Sequence, residues 1–217
     1  MTKYMIHTYP KRLWYVEQYL IPSMIKQGIP KENIVVYNDS AGDGNLKACM
    51  KAFASVDPYD DGVWHLQDDV CICRDFRILT EKLDFGIVCG FSSNMYDGVG
   101  KIGAVKREDM WYSFPCIRIP NEYALDCADW VTKYIIGNPV YRKYWEKGQN
   151  DDWAFRAWLK TFHKDVLAIN LAPNLVDHVD YLLGGTSQIN NRKKWCRAQY
   201  WTDTDLIKEL EESILHG

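Results

Sequence analysis

The chain has 217 residues, 47% hydrophobic content, a formal charge of −3 and a pI near 6.0, enough for one well-buried domain and too acidic for a broad nucleic-acid-binding face. Its seven cysteines contain no CxxC pair, which argues for reduced thiols in a cytoplasmic protein and against a zinc or disulfide framework. No run reaches the ~20 apolar residues of a membrane span, and the N-terminus carries no signal-like segment.

The first ninety residues alternate strand and helix. "KYMIHTYP" (residues 3–10) is expected as a short buried strand ending at Pro10. A helix follows with Leu13, Val16, Tyr19 and Leu20 at helical spacing; Pro22 kinks or divides it and Gly28 stops it. "ENIVVYNDS" gives a second strand closed by the turn-formers Asn38, Asp39 and Ser40. "GDGNLKACMKAFASV" is a glycine-rich turn entering a helix, "DGVWHLQDDV" a third strand and "KLDFGIVCGFSS" a fourth. That order predicts an α/β fold with a mostly parallel central sheet flanked by helices, whose ligands bind beyond the carboxyl ends of the strands. Those ends are "HTYPKR", "YNDS" and "QDDV", all polar.

The second half is less regular. Residues 91–120 are rich in Gly, Ser, Asn and aromatics, and "MWYSFPCIRIP" is expected as a loop or short hairpin. "NEYALDCADWVTKYII" reads as a helix, "VYRKYWEKG" as a shorter one, and "NDDWAFRAWLKTF" as an amphipathic helix with Trp153, Phe155, Ala157, Trp158 and Leu159 on its apolar side. "VLAINLAPNLVDHV" is a strand followed by an extended segment. The basic "RKKWCR" precedes a last helix, "TDTDLIKELEESILHG", whose capping box is Thr202 and Asp205. No repeat or linker divides the chain, which is expected to be one domain: residues 1–90 for the nucleotide, 91–190 for acceptor and catalysis, 191–217 a basic segment and helix.

Three acidic or imidazole features carry chemistry. The adjacent carboxylates Asp68 and Asp69 end an otherwise apolar strand, where they either form a solvated turn or grip a divalent ion that turns their repulsion into affinity. A second pair, Asp151 and Asp152, opens a helix, a position that also suits capping and the helix dipole. His178 follows the extended "APNLVDHV" segment.

In this order, "HLQDDV", "NDDWAF" and "PNLVDHVDYLLGGTS" resemble the motifs of GT-A fold glycosyltransferases over roughly residues 3–190. In that family the first is the DXD-type metal motif, the second holds the base of inverting members, and the third gives a histidine to the metal. Two positions depart from the pattern: Gln67 stands where an acid is often found, and Asp180 where a glycine follows the histidine, with Gly184 and Gly185 coming later.

The resemblance implies Mn²⁺ or Mg²⁺ held by Asp69, His178 and Asp68. It implies nucleotide-sugar contacts from Thr8, Tyr9, Arg12, Asp39, Asn45, Lys47, Gln67 and Asp68, with Asp39 equally suited to a turn-forming role. Asp151 is the expected base, Asp152 the second choice, and the basic "NNRKKW" would close over phosphates. Trp111, Tyr112 and Trp153 would line an acceptor groove or pack the core. The implied reaction is transfer from a nucleotide-diphosphate sugar, most often a UDP-sugar, to a glycan, a protein or a hydroxylated DNA base, with inversion; the size is that of compact bacterial or phage enzymes. A metal-dependent nucleotidyltransferase and a non-catalytic sugar-nucleotide-binding module are the alternatives. The first is disfavoured because "HTYPKR" has no phosphate-cradling glycine.

Overall fold

The computed structural model describes residues 2–91, 114–142, 151–166, 168–171, 174–180, 182 and 183. In chain order the strands and helices begin with β1 (Lys3–Thr8) and a helix α1 built from Leu13–Tyr15, a π-helical turn Val16–Leu20 and Ile21–Lys26. Then come β2 (Ile34–Asn38), α2 (Asn45–Ala54), β3 (Gly62–Gln67), β4 (Val70–Ile72) and α3 (Phe76–Lys82). The rest are β5 (Ile87–Cys89), β6 (Cys116–Pro120), α4 (Asn121–Trp130), α5 (Asp151–Phe162), β7 (Ala168–Asn170) and β8 (Val176–His178). Pro22 has no N–H to offer the preceding turn, and the wide π-helical turn just before it absorbs the missing bond without breaking α1. Gly28, at φ 82°, then ends that helix.

A six-stranded sheet runs β2-β1-β3-β6-β5-β7. Only β6 runs against the others, so the α/β class with a mostly parallel sheet flanked by helices is present. β1 and β3 are buried on both faces, which is why they read as nearly unbroken apolar runs. Alternate residues then feed two cores. Met5, Val63, Ile117 and Ile119 join Phe53 of α2 and Phe155 and Trp158 of α5. Tyr4, Ile6, Trp64 and Leu66 join Val16 and Leu20 of α1, Phe76 of α3, and Val70 and Val176 of the small β4-β8 ribbon. No helix among the described residues is long and apolar enough to cross a membrane.

Two expectations are corrected. The stretch read as a loop or hairpin contains β6, a strand between β3 and β5. Arg118 in its middle hid it, because a charge there argues against a central strand. The side chain is 3% exposed and is satisfied by Asp84, 2.6 Å from Nε, and by the Gly86 carbonyl, 2.7 Å from Nη1. It lies across Gly62, where an added Cβ would meet the guanidinium at 2.8 Å. The third strand also stops at Gln67 instead of running through Val70. Asp68 and Asp69 form a turn, and β4 leaves the sheet to pair antiparallel with β8.

Beneath α2, His7 Nε2 and His65 Nδ1 lie 2.9 Å apart, with the His65 ring 4.7 Å from that of Phe53. Burial lowers His7 to about 4 and holds His65 well below the usual histidine range. The folded state therefore refuses protons that the unfolded chain takes up near pH 6.5. The pair's contribution is complete above that pH and is lost as pH falls toward 4. Relative to a His65→Leu variant, the parent is expected to lose about 2 kcal/mol between pH 7 and pH 5 in urea unfolding. A constant difference would mean the ring is charged or solvated in the fold.

Candidate active site

The carboxyl ends of β1 and β3 lie side by side, since His7 is in register with Gln67. Side chains alternate there, so the consecutive residues Gln67 and Asp68 leave on opposite sides of the sheet. Each reaches a separate polar cluster.

On the α1 side, the Thr8 hydroxyl donates to Asp68 Oδ2 at 2.9 Å. Arg12, at the start of α1, donates through Nη1 to Asp68 Oδ1 at 3.1 Å and Asp69 Oδ2 at 2.6 Å, and through Nη2 to Asp180. His178 arrives because Val70 pairs with it across the β4-β8 ribbon, a register locked by the Val179 N–H donating to the Asp69 carbonyl at 2.7 Å. Its Nε2 is 3.2 Å from Asp69 Oδ1. Asp68, Asp69, Asp180 and His178 are all buried.

Such charges interact strongly. Burial, with the neighbouring Asp69 charge, pushes Asp68 up to about 7 despite Arg12 and Thr8. Burial also opposes ionisation of Asp69, but His178 and Arg12 overcome it and hold that carboxyl well below the usual range. His178 is raised in turn: burial disfavours its cation, and Asp69 more than compensates. The shared guanidinium makes the acids compatible with one another. Arg12→Ala is therefore expected to cost about 3–5 kcal/mol, the penalty for stranding buried charge. Added Mn²⁺ should restore part of it by binding the folded form. Thermal melts with and without the ion check this; a variant as stable as its parent would show the acids to be solvated.

No group of three or more metal-ligating side chains stands ready-made among the described residues, because Arg12 sets their spacing. A divalent ion nevertheless fits the donor set. Asp69 Oδ1 is buried and accepts no hydrogen bond among the described residues, since the imidazole approaches it without hydrogen-bond alignment. Hard carboxylate oxygens beside an imidazole suit Mn²⁺ and, with the oxygens alone, Mg²⁺.

On the other side, Gln67 Nε2 donates to Asp151 Oδ2 at 3.3 Å and Asn45 Nδ2 to Asp151 Oδ1 at 3.0 Å. Asp151 falls on the inward stripe of α5 with Ala154, Phe155, Trp158 and Leu159, which explains why it is 5% exposed. Burial, then the charge of Asp152, raises it to about 7. Asn45 is exposed at the start of α2, so the carboxyl lies just under the surface. Asp152 accepts from the Trp153 N–H at 2.7 Å and serves its own helix.

The remaining expected residues are placed differently. Tyr9 is 39% exposed with its ring centroid 5.5 Å from the Arg12 guanidinium carbon, at the rim of the acid cluster. Asp39 is 7% exposed and accepts from the N–H groups of Asp43 and Gly44 at 3.0 and 3.2 Å, holding the turn into α2. No hydrogen bond or ion pair among the described residues joins Lys47 to either cluster. Trp153 packs against Tyr141 and the α2-α4-α5 core. Trp111, Tyr112, Gly184, Gly185, the "NNRKKW" and "RKKWCR" stretch and the last helix lie outside the described residues.

Asp180 was missed as a site residue. Its signal was the i, i+2 spacing from His178 at the end of an extended segment, which puts both on one face. The bonding of Asn45 and Gln67 to Asp151 left no signal, because 106 and 84 residues separate the partners.

No protein-family model and no curated protein sequence matches the chain. Among solved structures it is similar to the catalytic domain of Drosophila beta-1,4-galactosyltransferase 7 in complex with xylobiose, at 11% identity and a TM-score of 0.49, over 94% of this chain and 84% of that one. A mutant of that Drosophila protein in complex with manganese, UDP-Gal and xylobiose matches at 10% identity and a TM-score of 0.42, over 90% and 76%. A protein assigned as a glucose-1-phosphate thymidylyltransferase of Bacillus anthracis, in complex with sucrose, matches at 9% identity and a TM-score of 0.45, over 91% and 96%.

Proposed function

We propose that the protein is a metal-dependent glycosyltransferase that moves a sugar from a nucleotide-diphosphate donor, a UDP-sugar foremost, to an acceptor hydroxyl with inversion. One observation supports this reading: Gln67, the last residue of β3, and Asp68, the first of the turn after it, link the acid cluster gathered around Arg12 to a buried, raised carboxyl. A transferase needs both, one for the departing diphosphate and one for the incoming nucleophile.

Asp69 and His178 would hold Mn²⁺ or Mg²⁺, with Asp68 alongside, oriented by Thr8 and Arg12. A bound divalent ion supplies Lewis-acid stabilisation of charge on the diphosphate. Arg12, the fixed positive charge of the cluster, would share that charge, and Tyr9 stands at the rim for the nucleotide. Asp151 accepts the proton of the acceptor hydroxyl as its oxygen bonds to the anomeric carbon. The bond from that carbon to the diphosphate oxygen breaks, and its electron pair leaves with the diphosphate. A base on the face opposite the leaving group gives inversion. The acceptor is a glycan, a protein or a hydroxylated DNA base.

Incubating the protein with Mn²⁺ and a panel of nucleotide-sugars tests the proposal. Slow hydrolysis or transfer that yields free nucleoside diphosphate is expected with at least one donor. Release of pyrophosphate from a nucleoside triphosphate and a sugar phosphate would point to nucleotidyl transfer instead. Tight donor binding with no turnover against any acceptor would indicate a binding module.

A further inference from the structure

Asp151 has a neighbourhood unlike that of an ordinary helix-capping acid. It opens the twelve-residue α5, so backbone N–H groups of Asp151 and Asp152 favour its ionised form. Burial and the Asp152 charge act against it. Among the described residues, the titratable groups facing it are Asp152 on its own helix and the buried Cys49 thiol of α2, whose ionisation burial and Asp151 push far up, so that it stays neutral. From β3 and from the start of α2 it meets two amides, and each amide gives one N–H to a different carboxylate oxygen.

We infer that Asn45 and Gln67 are positioning residues that clamp Asp151 as an oriented base, one amide to each oxygen. The inference rests on the reading of Asp151 as the base that deprotonates the acceptor. Two donors from two different elements, one to each oxygen, fix the carboxylate plane. A donor to each oxygen also favours the charged form that a base requires.

The clamp gives a reason for the unusual residue before the acid pair. Gln67 Nε2 is 3.3 Å from Asp151. A glutamate there would set two carboxylates against each other in a buried site, where like charges raise one another's pKa. An amide at this point lets one strand end serve both clusters: Asp68 turns its charge toward Arg12, while Gln67 turns a donor toward the base. Asn45 and Gln67 are thereby moved from the nucleotide's side of the site to the acceptor's side.

The test is a ¹³C NMR titration of the Asp Cγ resonances in the whole protein, with the Asp151 signal identified by its loss in Asp151→Asn. Asn45→Leu and Gln67→Leu are each expected to raise the Asp151 midpoint by about one pH unit, the effect of losing one hydrogen bond to a charged group. Asn45→Asp and Gln67→Glu keep the shape and replace a donor with a charge, so they should raise the upper titration step further; they carry the test alone if the leucine variants do not fold. In transfer assays the acidic limb of the rate profile should move by the same amount, while calorimetric donor affinity stays at the parent value. Midpoints unmoved in all four variants, or donor affinity lost with the midpoint unmoved, would overturn the clamp and return these amides to the nucleotide. If the parent transfers no sugar at all, the proposed function fails on its own, and the titration still decides whether the clamp exists.

Discussion

Asp69→Ala is expected to show no measurable Mn²⁺ binding and to lose turnover by roughly 10³-fold, the scale of removing a central electrostatic stabiliser. Asp69 is the carboxyl that both Arg12 and His178 approach, with Arg12 on one oxygen and His178 beside the other. Oδ1, buried and accepting no hydrogen bond among the described residues, is the atom with spare capacity for an ion. Its loss also takes one of three carboxylates from the buried Arg12 guanidinium, so the alanine protein should melt earlier. Asp69→Asn, which keeps the shape, separates the two effects: it should fold and still fail to bind the ion. Calorimetry with Mn²⁺ and a nucleoside diphosphate reads the binding, and circular dichroism reads the fold. Full turnover in the alanine variant would remove the metal from the proposal.

Asp151→Asn is expected to keep donor affinity and lose transfer by about 10²–10⁴-fold, the usual worth of a positioned base. The parent's rate should rise with pH through about 7, where burial and Asp152 place the carboxyl, and fall about tenfold per unit on the acid side. The same variant should be more stable than the parent at pH 8. An acid whose folded pKa lies above its unfolded value favours the fold below the unfolded pKa. That advantage is lost as pH rises through the folded value, so an ionised Asp151 weakens the protein above pH 7. An uncharged amide removes that burden, a gain of up to about 4 kcal/mol. A protein made stabler and slower by one substitution is the signature of a strained functional group. If Asp151→Asn transferred at the parent's rate, the base would have to be sought elsewhere, Asp152 first.

Many of the polar residues that meet in the candidate site were legible in the sequence. The acid pair after β3, the second pair opening α5 and the histidine after the Pro-led segment were each visible as residues in polar stretches. Thr8 and Arg12 stood at a predicted strand end and fell into the first cluster. Asp39 showed its turn-forming chemistry, and the structure gives it that role. The strand containing Arg118 was illegible, because its charge is neutralised by Asp84, 34 residues earlier in the chain.

The sequence by itself determined what local chemistry decides: alternating strands and helices, two-sided burial of β1 and β3, and acids gathered at strand ends, since periodicity and turn propensity act over a few residues. Tertiary structure alone decided which of those polar groups meet. The register of β4 against β8 delivers His178 to Asp69, the packing of α5 on the sheet brings Asp151 to Gln67 and Asn45, and Arg12 draws three carboxylates to one point. Such pairings depend on chain segments scores of residues apart and on the cost of burying charge without a partner, and neither leaves a mark in a local pattern.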